Sequence, residues 1–461
     1  MAEREKFPFP QKFPLDKYVD RPYNKFSKLT NMPFKHDRKK GVENSPSTRS
    51  GMKRRENGEM MSRSQHRKAT RQHTKEHNMR LVLKTIFAHE KGVSRADIAR
   101  LTGLTRATVS EIVGELVEQG LVEEKGVAPS MGGKPPILVG IAQNNRLILS
   151  VDVSNDEYRG ALVNLRGEIV LETVLPVGHL QGDKALDAAF ALTDDLIAKA
   201  SAPVLGLGIS TPGLIDPQEG VVYQAVNRGW VDLPLKRLFV ERYGTPVFVA
   251  NDSHMIALAE LSFGDGQTCS NLVAIKVSEG IGTGIVLNRQ LFFGDGFGAG
   301  EIGHLVVVEN GAPCTCGNRG CLEVVASTRA IEQQIQEAIR QVPDSLLAAL
   351  VASSGSSSLS ALGEAVRQSD PIALEMVSAL GRHLGVAVAA LISVLNIHCI
   401  FFYGPIRQLG TSLLEAVQAE VRRRVLRRMA NATRIVFSAL GEDASLLGAS
   451  ALVLSQVLGL P

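Results

Sequence analysis

A histidine and three cysteines lie within eighteen residues of one another in the second half of the 461-residue sequence: His304, Cys314, Cys316 and Cys321. Three thiolates and one imidazole form the ligand set of a closed, tetrahedral zinc site. Gly317 and Gly320 allow the backbone to turn tightly around the ion. Because all four ligands are protein atoms, the predicted site is structural and has no open position for a reactive water. Free thiols in a loop are the alternative interpretation.

Polar residues beside glycines form a second group. Asn251 and Asp252 follow an apolar stretch, Glu301 comes three residues before His304, and Glu323 comes two residues after Cys321. Carboxylates and an amide that converge on one cleft suit a polyhydroxylated ligand, because each sugar hydroxyl donates to one oxygen and accepts from a neighbour. We therefore expect a sugar site held in place by the zinc loop 304–323. Each of these residues alone is equally compatible with a helix cap or a surface charge.

The remaining cysteines, Cys269 and Cys399, stand alone in apolar surroundings and are predicted to be core residues. Five cysteines in a chain of this length do not form a disulfide framework. The N-terminal stretch is charged and broken by proline, and the longest nearly apolar run, Leu384–Leu395, is too short to span a bilayer. We expect a cytoplasmic protein without membrane insertion.

Charge is unevenly distributed along the chain. With 44% apolar and 21% charged residues the composition is that of a globular protein, and the net charge is +4. Residues 1–75 contain 20 Lys and Arg against 8 Asp and Glu, and the rest of the chain is mildly acidic. This extension has six prolines and no sustained apolar period, so we expect it not to fold alone. A basic arm that contacts phosphates, an unstructured extension and a true start near Met60 or Met61 all remain open.

Residues 76–142 have the pattern of a winged helix-turn-helix. A first amphipathic helix precedes a second helix whose start carries a capping box at Ser94 and Asp97. After a glycine turn, Thr105 caps a third helix with one apolar stripe over Val109–Val117. Two strand-like segments then form a wing around a turn. Such a third helix lies in the major groove, so DNA is the expected partner and a protein-interaction module is the alternative. The predicted DNA contacts are Arg106, Thr108 and Ser110, with Lys134 in the wing.

The rest of the chain, residues 143–461, alternates strands and helices. Three strand-like segments, a helix and a further strand open it, and a similar pair of strands recurs at Leu272–Leu287. Helices are predicted at Leu374–Leu395 and Ser412–Met429, with a strand at His398–Tyr403 between them and a surface loop at Ser353–Ser358. The repetition predicts a duplicated α/β architecture.

These motifs resemble the ROK family of repressors, open reading frames and sugar kinases. The resemblance rests on Gly298-Ala-Gly-Glu301-Ile-Gly-His304 followed by Cys314-Thr-Cys316-Gly-Asn-Arg-Gly-Cys321-Leu-Glu323, and it covers about residues 78–461. It implies an actin-like, ribonuclease-H-like two-lobed sugar-kinase fold behind the winged helix-turn-helix. It also implies zinc at His304, Cys314, Cys316 and Cys321. The sugar contacts that it implies are Asn227, Asn251, Asp252, Glu301, His304 and Glu323.

Kinases of this family use the aspartate matching Asp252 as the base that activates a sugar hydroxyl. They open their first lobe with Asp-x-Gly-Gly-Thr, whose bare amides approach the phosphates of ATP, but here the stretch is Asp152-Val-Ser154-Asn155-Asp156-Glu157. Side chains and negative charge in place of both glycines argue against ATP and against catalysis. The family's kinases also lack the N-terminal module.

We therefore predict a sugar-responsive transcriptional regulator, a repressor, in which a monosaccharide or sugar phosphate modulates binding to double-stranded operator DNA. Helix-turn-helix proteins read paired half-sites, so a homodimer or homotetramer is expected. The alternatives are an active ATP-dependent sugar kinase with an appended DNA-binding domain, and a scaffold that binds no DNA. The arginine-rich stretch Arg422–Arg428 is expected to be solvated or at a subunit contact, with a second DNA site as the alternative.

Overall fold

The structure is a computed structural model that describes residues 71–127, 135–154, 156–353 and 358–460. Most of the predicted basic extension, the predicted DNA contact Lys134 and the interior of the loop between Ser353 and Ser358 lie outside the described residues.

The N-terminal unit is a three-helix bundle with a wing. A two-residue strand, β1, lies between the first two helices, and the wing strands β2 and β3 complete an antiparallel sheet in the order β1-β3-β2. The elements are α1 (Arg71–Phe87), β1 (Val93–Ser94), α2 (Arg95–Thr102), α3 (Arg106–Glu118), β2 (Val122–Val127) and β3 (Ile137–Ile141).

Local sequence signals set the helix boundaries of this unit. The Ser94 hydroxyl accepts from the backbone N–H of Asp97 at 3.1 Å, and Thr105 caps α3 in the same way by accepting from the N–H of Thr108. Gly103 between the two helices has φ 71°, a left-handed conformation that favours glycine. The capping predictions are therefore confirmed.

Two details of this unit differ from the sequence prediction. Helix α1 begins at Arg71, so residues 71–75 belong to a helix and not to the extension. Val117 was assigned to the apolar stripe of α3 but is 39% exposed, because the stripe that packs against α1 and α2 ends one position earlier, at Leu116.

The first lobe contains a five-stranded sheet in the order β11-β7-β4-β5-β6 and a small antiparallel sheet in the order β10-β9-β8. An antiparallel meander, β4 to β6, leads through a helix to the parallel strands β7 and β11. The elements are β4 (Leu147–Asp152), β5 (Glu157–Asn164), β6 (Ile169–Pro176), α4 (Gly182–Ala198), β7 (Val204–Thr211), β8 (Leu214–Asp216), β9 (Val221–Ala225), β10 (Trp230–Leu233), α5 (Leu235–Tyr243), β11 (Val247–Asn251) and α6 (Asp252–Ser262).

The second lobe repeats this topology. Its sheet has the order β14-β13-β12-β15-β16, with an antiparallel meander followed by two parallel strands. The elements are β12 (Leu272–Val277), β13 (Ile281–Leu287), β14 (Gln290–Leu291), α7 (Glu323–Ala326), α8 (Thr328–Gln341), α9 (Leu346–Ser353), α10 (Ser358–Arg367), α11 (Pro371–Leu395), β15 (Cys399–Tyr403), α12 (Gly410–Arg424), α13 (Arg427–Ala432), β16 (Arg434–Phe437) and α14 (Ala444–Val453). The predicted duplicated, two-lobed α/β architecture is confirmed.

Helices α6 and α14 pack against each other in the centre of the molecule, and almost every residue of both is buried. Their close approach depends on glycine, because a Cβ on Gly448 would lie 1.8 Å from the carbonyl oxygen of Met255. Helix α6 starts where β11 ends, so the residues at this junction are held between the two lobes.

Helix α11 is long and apolar enough to cross a membrane. Half of its most apolar window is buried, and it packs along α12 in the second lobe. A Cβ on Gly381 would lie 2.3 Å from the Cβ of Ala416, and one on Gly385 would lie 2.6 Å from the Cβ of Glu420. The two glycines allow α11 to pack closely against α12, so α11 is a core helix of the second lobe.

Two predictions about the second lobe were wrong. The single helix expected at Ser412–Met429 is broken between α12 and α13, because Val425 adopts an extended conformation that turns its side chain into the core while Leu426 is 75% exposed. Cys269 and Cys399 are not isolated core residues but form a disulfide, with their Cα atoms 6.8 Å apart. The parallel pairing of β12 with β15 brings these two half-buried residues together although they are 130 positions apart in the sequence.

The winged helix unit packs directly on the two-lobed part. Buried side chains of α1 and α3 share one apolar cluster with residues of β4, β5 and the C-terminal segment. The Arg166 guanidinium donates to the carbonyl of Phe87 at 2.6 Å and lies 4.6 Å from the centre of the Phe87 ring. Arg146 donates two hydrogen bonds, of 3.1 and 2.9 Å, to the carbonyl of Gln119.

Candidate functional site

A cavity of about 840 Å³ lies between the two lobes. Strand ends, the start of α6 and the loop before α7 form its walls. All six residues that the resemblance assigned to sugar lie on these walls, although they come from separate parts of the sequence: Asn227, Asn251, Asp252, Glu301, His304 and Glu323. The fold therefore brings the predicted polar group together in one place.

Asn251 and Asp252 lie at the junction of β11 and α6. Asn251 caps the helix, because its side-chain oxygen accepts from the N–H of Ser253 at 2.8 Å while its amide donates to the carbonyl of Gly213 at 3.0 Å. One oxygen of Asp252 accepts from the same Ser253 N–H at 2.8 Å. The other accepts from the ammonium of Lys276 at 2.7 Å. The cap interpretation and the binding interpretation of these residues are thus compatible.

Lys276 is a site residue that the sequence reasoning missed. It lies in the otherwise apolar strand β12, is 9% exposed, and faces the cavity. Burial acts to lower the pKa of Lys276, but the negative charges of Asp252 and Asp152 and the hydrogen bond to Asp252 raise it, and the pKa lies above its ordinary value. The available signal was one charged residue inside the run Leu-Val-Ala-Ile-Lys-Val, because buried strands do not carry an ammonium without a partner.

Glu301 and Glu323 place two more carboxylates on the cavity wall. Partial removal of its carboxyl group from solvent raises the pKa of Glu301, although the side chain is exposed in part; His304 acts to lower this pKa, and the charges of Asp252 and Glu323 act to raise it. Glu323 begins α7, and its carboxylate accepts from the backbone N–H of Ile281 at 3.1 Å. The cavity is therefore rich in hydrogen-bond acceptors and carries mainly negative charge.

His254 supports the loop that carries Glu301. Its imidazole lies on α6, is 5% exposed, and has its Nε2 3.4 Å from the carbonyl oxygen of Ala299. The ring also meets Phe293 edge to face, with centroids 5.0 Å apart. Burial lowers the pKa of His254, so the imidazole is neutral at pH 7.

His304 and the three cysteines form a compact cluster beside the cavity. The four ligand atoms lie within 4.8 Å of one another, with His304 Nδ1 3.6 Å from Cys314 Sγ and Cys316 Sγ 3.7 Å from Cys321 Sγ. Tetrahedral zinc, with bonds of about 2.0 to 2.3 Å, requires ligand atoms roughly 3.3 to 3.8 Å apart. Two of the six pairs of ligand atoms have this spacing, and small movements of the side chains would let all four hold a single metal ion.

Glycine shapes the loop around this cluster. Gly320 has φ 75°, and a Cβ there would lie 1.7 Å from the carbonyl oxygen of Val308. Antiparallel bridges join Val306 to Cys321 and Pro313 to Arg319. Coordination through Nδ1 leaves Nε2 of His304 for the cavity, so one imidazole can hold the metal and contact a ligand.

The glycine run Gly280–Gly284 is explained by protein packing. A Cβ on Gly282 would lie 2.2 Å from the hydroxyl of Ser253, and one on Gly284 would lie 2.2 Å from the carbonyl of the same residue. These glycines let β13 approach α6. A Cβ on Gly280 would lie 2.9 Å from the carboxylate of Glu323.

Asp152 and Ser154, at the end of β4 in the first lobe, are joined by local hydrogen bonds. The backbone N–H of Ser154 donates to the carboxylate of Asp152 at 3.0 Å, and the Ser154 hydroxyl donates to the same oxygen. Asn155 lies outside the described residues. The amide of Ser154 therefore already has an acceptor within the protein.

Two of the four predicted DNA contacts share one exposed face. Arg106 and Ser110 lie one turn apart on α3, and both are exposed. Thr108 has a local role as well, because its hydroxyl lies 2.9 Å from that of Thr105 at the helix cap.

Comparisons with known proteins match two segments of the chain to two protein families. The profile of the ROK family matches residues 148–456, and that of the MarR family matches residues 82–129. The xylose repressor of Caldicellulosiruptor bescii is 30% identical over 393 residues, which are 84% of this chain and 98% of that protein. The glucokinase of Halalkalibacterium halodurans is 34% identical over 68% of this chain and 96% of its own length. A solved ROK family transcriptional regulator, described as a homologue of the E. coli MLC protein, has a TM-score of 0.75 and 29% identity over 84% of this chain and 98% of its own.

Proposed function

The chain belongs to the ROK family, and from this premise we propose that it is a sugar-responsive, DNA-binding transcriptional repressor. The observation that carries the proposal is the combination of two features in one chain. Six polar side chains line a cavity between two lobes, and a winged helix unit that packs on the first lobe exposes Arg106 and Ser110. The relatives that cover both units are a xylose repressor and a transcriptional regulator.

Sugar binding follows from the chemistry of the cavity. Its walls carry carboxylates, amides and an imidazole, and each of these groups can accept from or donate to a hydroxyl. A sugar that contacts groups on both lobes binds best when the lobes are closed, and such a preference for one conformer is what shifts an equilibrium. We infer a monosaccharide effector that contacts Asn227, Asn251, Asp252, Glu301, His304 and Glu323.

Metal binding at His304 and the cysteines supports the same cavity. We propose zinc, because three thiolates and an imidazole form a closed tetrahedral set. The ion would join His304, which borders the cavity, to Cys321, which lies two residues before Glu323. Its role is structural: it holds the loop that presents the acidic residues.

DNA binding is assigned to the winged helix unit, predicted at residues 76–142 and beginning with α1 at Arg71 in the structure, and effector binding to residues 143–461. The N-terminal part of α3 would reach base edges and phosphates in the major groove. We infer a homodimer or homotetramer, because helix-turn-helix dimers read half-sites about one helical turn apart. A regulator that binds operator DNA acts in the cytoplasm.

Catalysis of sugar phosphorylation is the alternative, favoured by the 34% identity to a glucokinase. Three contacts argue against it. The carboxylate of Asp252, which would be the base, is paired with Lys276, the amide of Ile281 is occupied by Glu323, and the amide of Ser154 is occupied by Asp152. The two occupied amides, of Ile281 and Ser154, are therefore not free to donate to the phosphates of ATP.

Two measurements test the proposal. A thermal-shift screen with D-xylose, D-glucose and N-acetyl-D-glucosamine, each with and without a phosphate group, should identify one sugar that stabilises the protein. A ligand at 100 times its Kd adds about 2.7 kcal/mol to the stability of the folded state. Incubation of the same sugars with ATP should give no ADP above background, whereas turnover in the usual enzyme range of about 1 to 10³ s⁻¹ would establish the kinase instead.

A further inference from the structure

Lys276 is a charged residue in a position where the fold alone would favour an apolar one. It lies in β12, the central strand of the second-lobe sheet, whose other five residues are all buried and apolar. A buried ammonium is costly unless it is paired, and replacement of buried ion pairs by apolar residues is often neutral or stabilising. A structural role therefore does not account for this lysine, which lines the cavity between the lobes.

The ammonium has donors to spare. It donates to Asp252 at 2.7 Å and lies 3.4 Å from the hydroxyl of Ser154. Among the residues that the structure describes, these two are its hydrogen-bond acceptors, and the longer contact is weak. An ammonium has three N–H groups, so at least one is left to point at the cavity.

The carboxylate of Asp252 is fixed by the same contact. One of its oxygens accepts from the N–H of Ser253, and the other accepts from Lys276. Each carboxylate oxygen can accept more than one hydrogen bond, so both oxygens can still accept a hydrogen bond from a hydroxyl group of the ligand.

We propose that Lys276 is an effector-binding residue that donates to a sugar oxygen while its partner, Asp252, accepts from a neighbouring hydroxyl. This role rests on the proposed function. The ion pair presents a donor and an acceptor side by side, which matches two adjacent hydroxyl groups of a sugar ring. The contact of 2.7 Å between the ammonium and the carboxylate also holds Asp252 in one orientation.

A double-mutant cycle separates direct contact from positioning. Wild type, Lys276→Met, Asp252→Asn and the double variant are titrated calorimetrically with D-xylose, D-glucose and N-acetyl-D-glucosamine. The unfolding midpoint of each variant without sugar is measured in parallel. The double variant removes both charges together and so avoids an unpaired buried ion. Lys184→Met, at an exposed position on α4, is the matched control.

Direct contact predicts that Lys276→Met weakens sugar binding also in the Asp252→Asn background. Hydrogen bonds from charged groups contribute about 1.5 to 3 kcal/mol, which corresponds to about 10- to 150-fold in Kd. Equal affinity of Asp252→Asn and the double variant would overturn the proposal and leave Lys276 as a residue that only positions Asp252. If wild type binds the sugars and Lys276→Met binds them equally well, the lysine has no role in binding.

Failure of the proposed function gives a different result. Wild-type protein that binds none of the three sugars contradicts the sugar-binding function before any variant is compared, and it overturns the role of Lys276 with it. Wild-type binding combined with unchanged affinity in the variants overturns the role of Lys276 alone. A change in the unfolding midpoint without a change in Kd would also count against the proposal.

Discussion

Removal of the Arg166 side chain should uncouple sugar binding from DNA binding. Arg166 lies in the turn between β5 and β6, in the first lobe, and contacts the last residue of α1 in the winged helix unit. Its hydrogen bond to the Phe87 carbonyl is 2.6 Å long, and its guanidinium lies 4.6 Å from the ring of the same residue. A change in the lobe that moves this turn therefore acts directly on the DNA-binding unit.

The size of the effect follows from these two contacts. A hydrogen bond from a charged group contributes about 1.5 to 3 kcal/mol, and a partly exposed cation–π contact about 0.5 to 1 kcal/mol. Arg166→Ala should therefore cost up to about 2 to 4 kcal/mol at the interface. Allosteric coupling energies are typically about 1 to 3 kcal/mol, which correspond to about 5- to 150-fold in affinity. The contact is thus strong enough to carry the coupling.

Fluorescence anisotropy with labelled operator DNA measures the coupling as the ratio of operator Kd with and without sugar. In Arg166→Ala this ratio should fall toward one, while the sugar Kd changes little. Arg242→Ala is the control, because Arg242 makes equivalent contacts inside the first lobe, a 2.6 Å bond to Asp194 and a 4.8 Å approach to the Phe190 ring. A wild-type ratio in Arg166→Ala would refute coupling through this contact.

Three further predictions concern the metal, the DNA and the pH dependence. Cys314→Ser should reduce bound zinc from one ion per chain to none and lower both the unfolding midpoint and the sugar affinity; a metal-free variant with wild-type stability and affinity would exclude the structural role. Arg106→Ala should weaken operator binding by about 1 to 3 kcal/mol, whereas Arg100→Ala, an exposed change on α2, should have little effect; equal losses would place the DNA contact elsewhere. Burial lowers the pKa of His254 in the folded state below the ordinary histidine value of 6.5. Below pH 6.5 the unfolded protein therefore binds a proton at His254 that the folded protein does not bind, so the stability of the fold decreases as the pH falls through this range. Between pH 7.5 and pH 5, His254→Gln should therefore lose less stability than wild type in thermal unfolding. His179→Gln, at an exposed position, is the control, and equal acid sensitivity of His254→Gln and wild type would contradict the role of His254.

The local features of the fold could be predicted from the sequence. The helix caps at Ser94 and Thr105 depend on residues three positions away, and the left-handed conformation of Gly103 depends only on its lack of a Cβ atom. The meeting of His304 with the three cysteines could also be predicted, because these residues lie within eighteen positions of one another and share a preference for metal ions. Short sequence separation and strong chemical preference are the common cause of these successes.

The features that the sequence did not reveal depend on packing between distant segments. Cys269 and Cys399 are 130 residues apart and meet only because β12 and β15 are parallel neighbours. Val425 interrupts a helical pattern because the core beneath it accepts an extended residue. Lys276 was hidden in an apolar run, and its partner Asp252 comes from a different element.

The function of the glycine run also required the structure. In the sequence, Gly280–Gly284 is compatible with a phosphate-binding turn. In the folded chain, Gly282 and Gly284 face Ser253 on α6, and Gly280 faces Glu323. The glycines are needed for the approach of protein atoms, so their presence is no argument for a nucleotide.

The central claim is that one chain binds operator DNA and releases it when a sugar occupies the cavity, without phosphoryl transfer. The most direct test is an anisotropy titration of the purified protein on DNA from upstream of its own gene, with the sugar identified by thermal shift and without ATP. The account predicts that saturating sugar raises the operator Kd at least about fivefold, within the usual range of allosteric coupling. An operator Kd that does not change with sugar, or that changes only when ATP is present and ADP is formed, would contradict it.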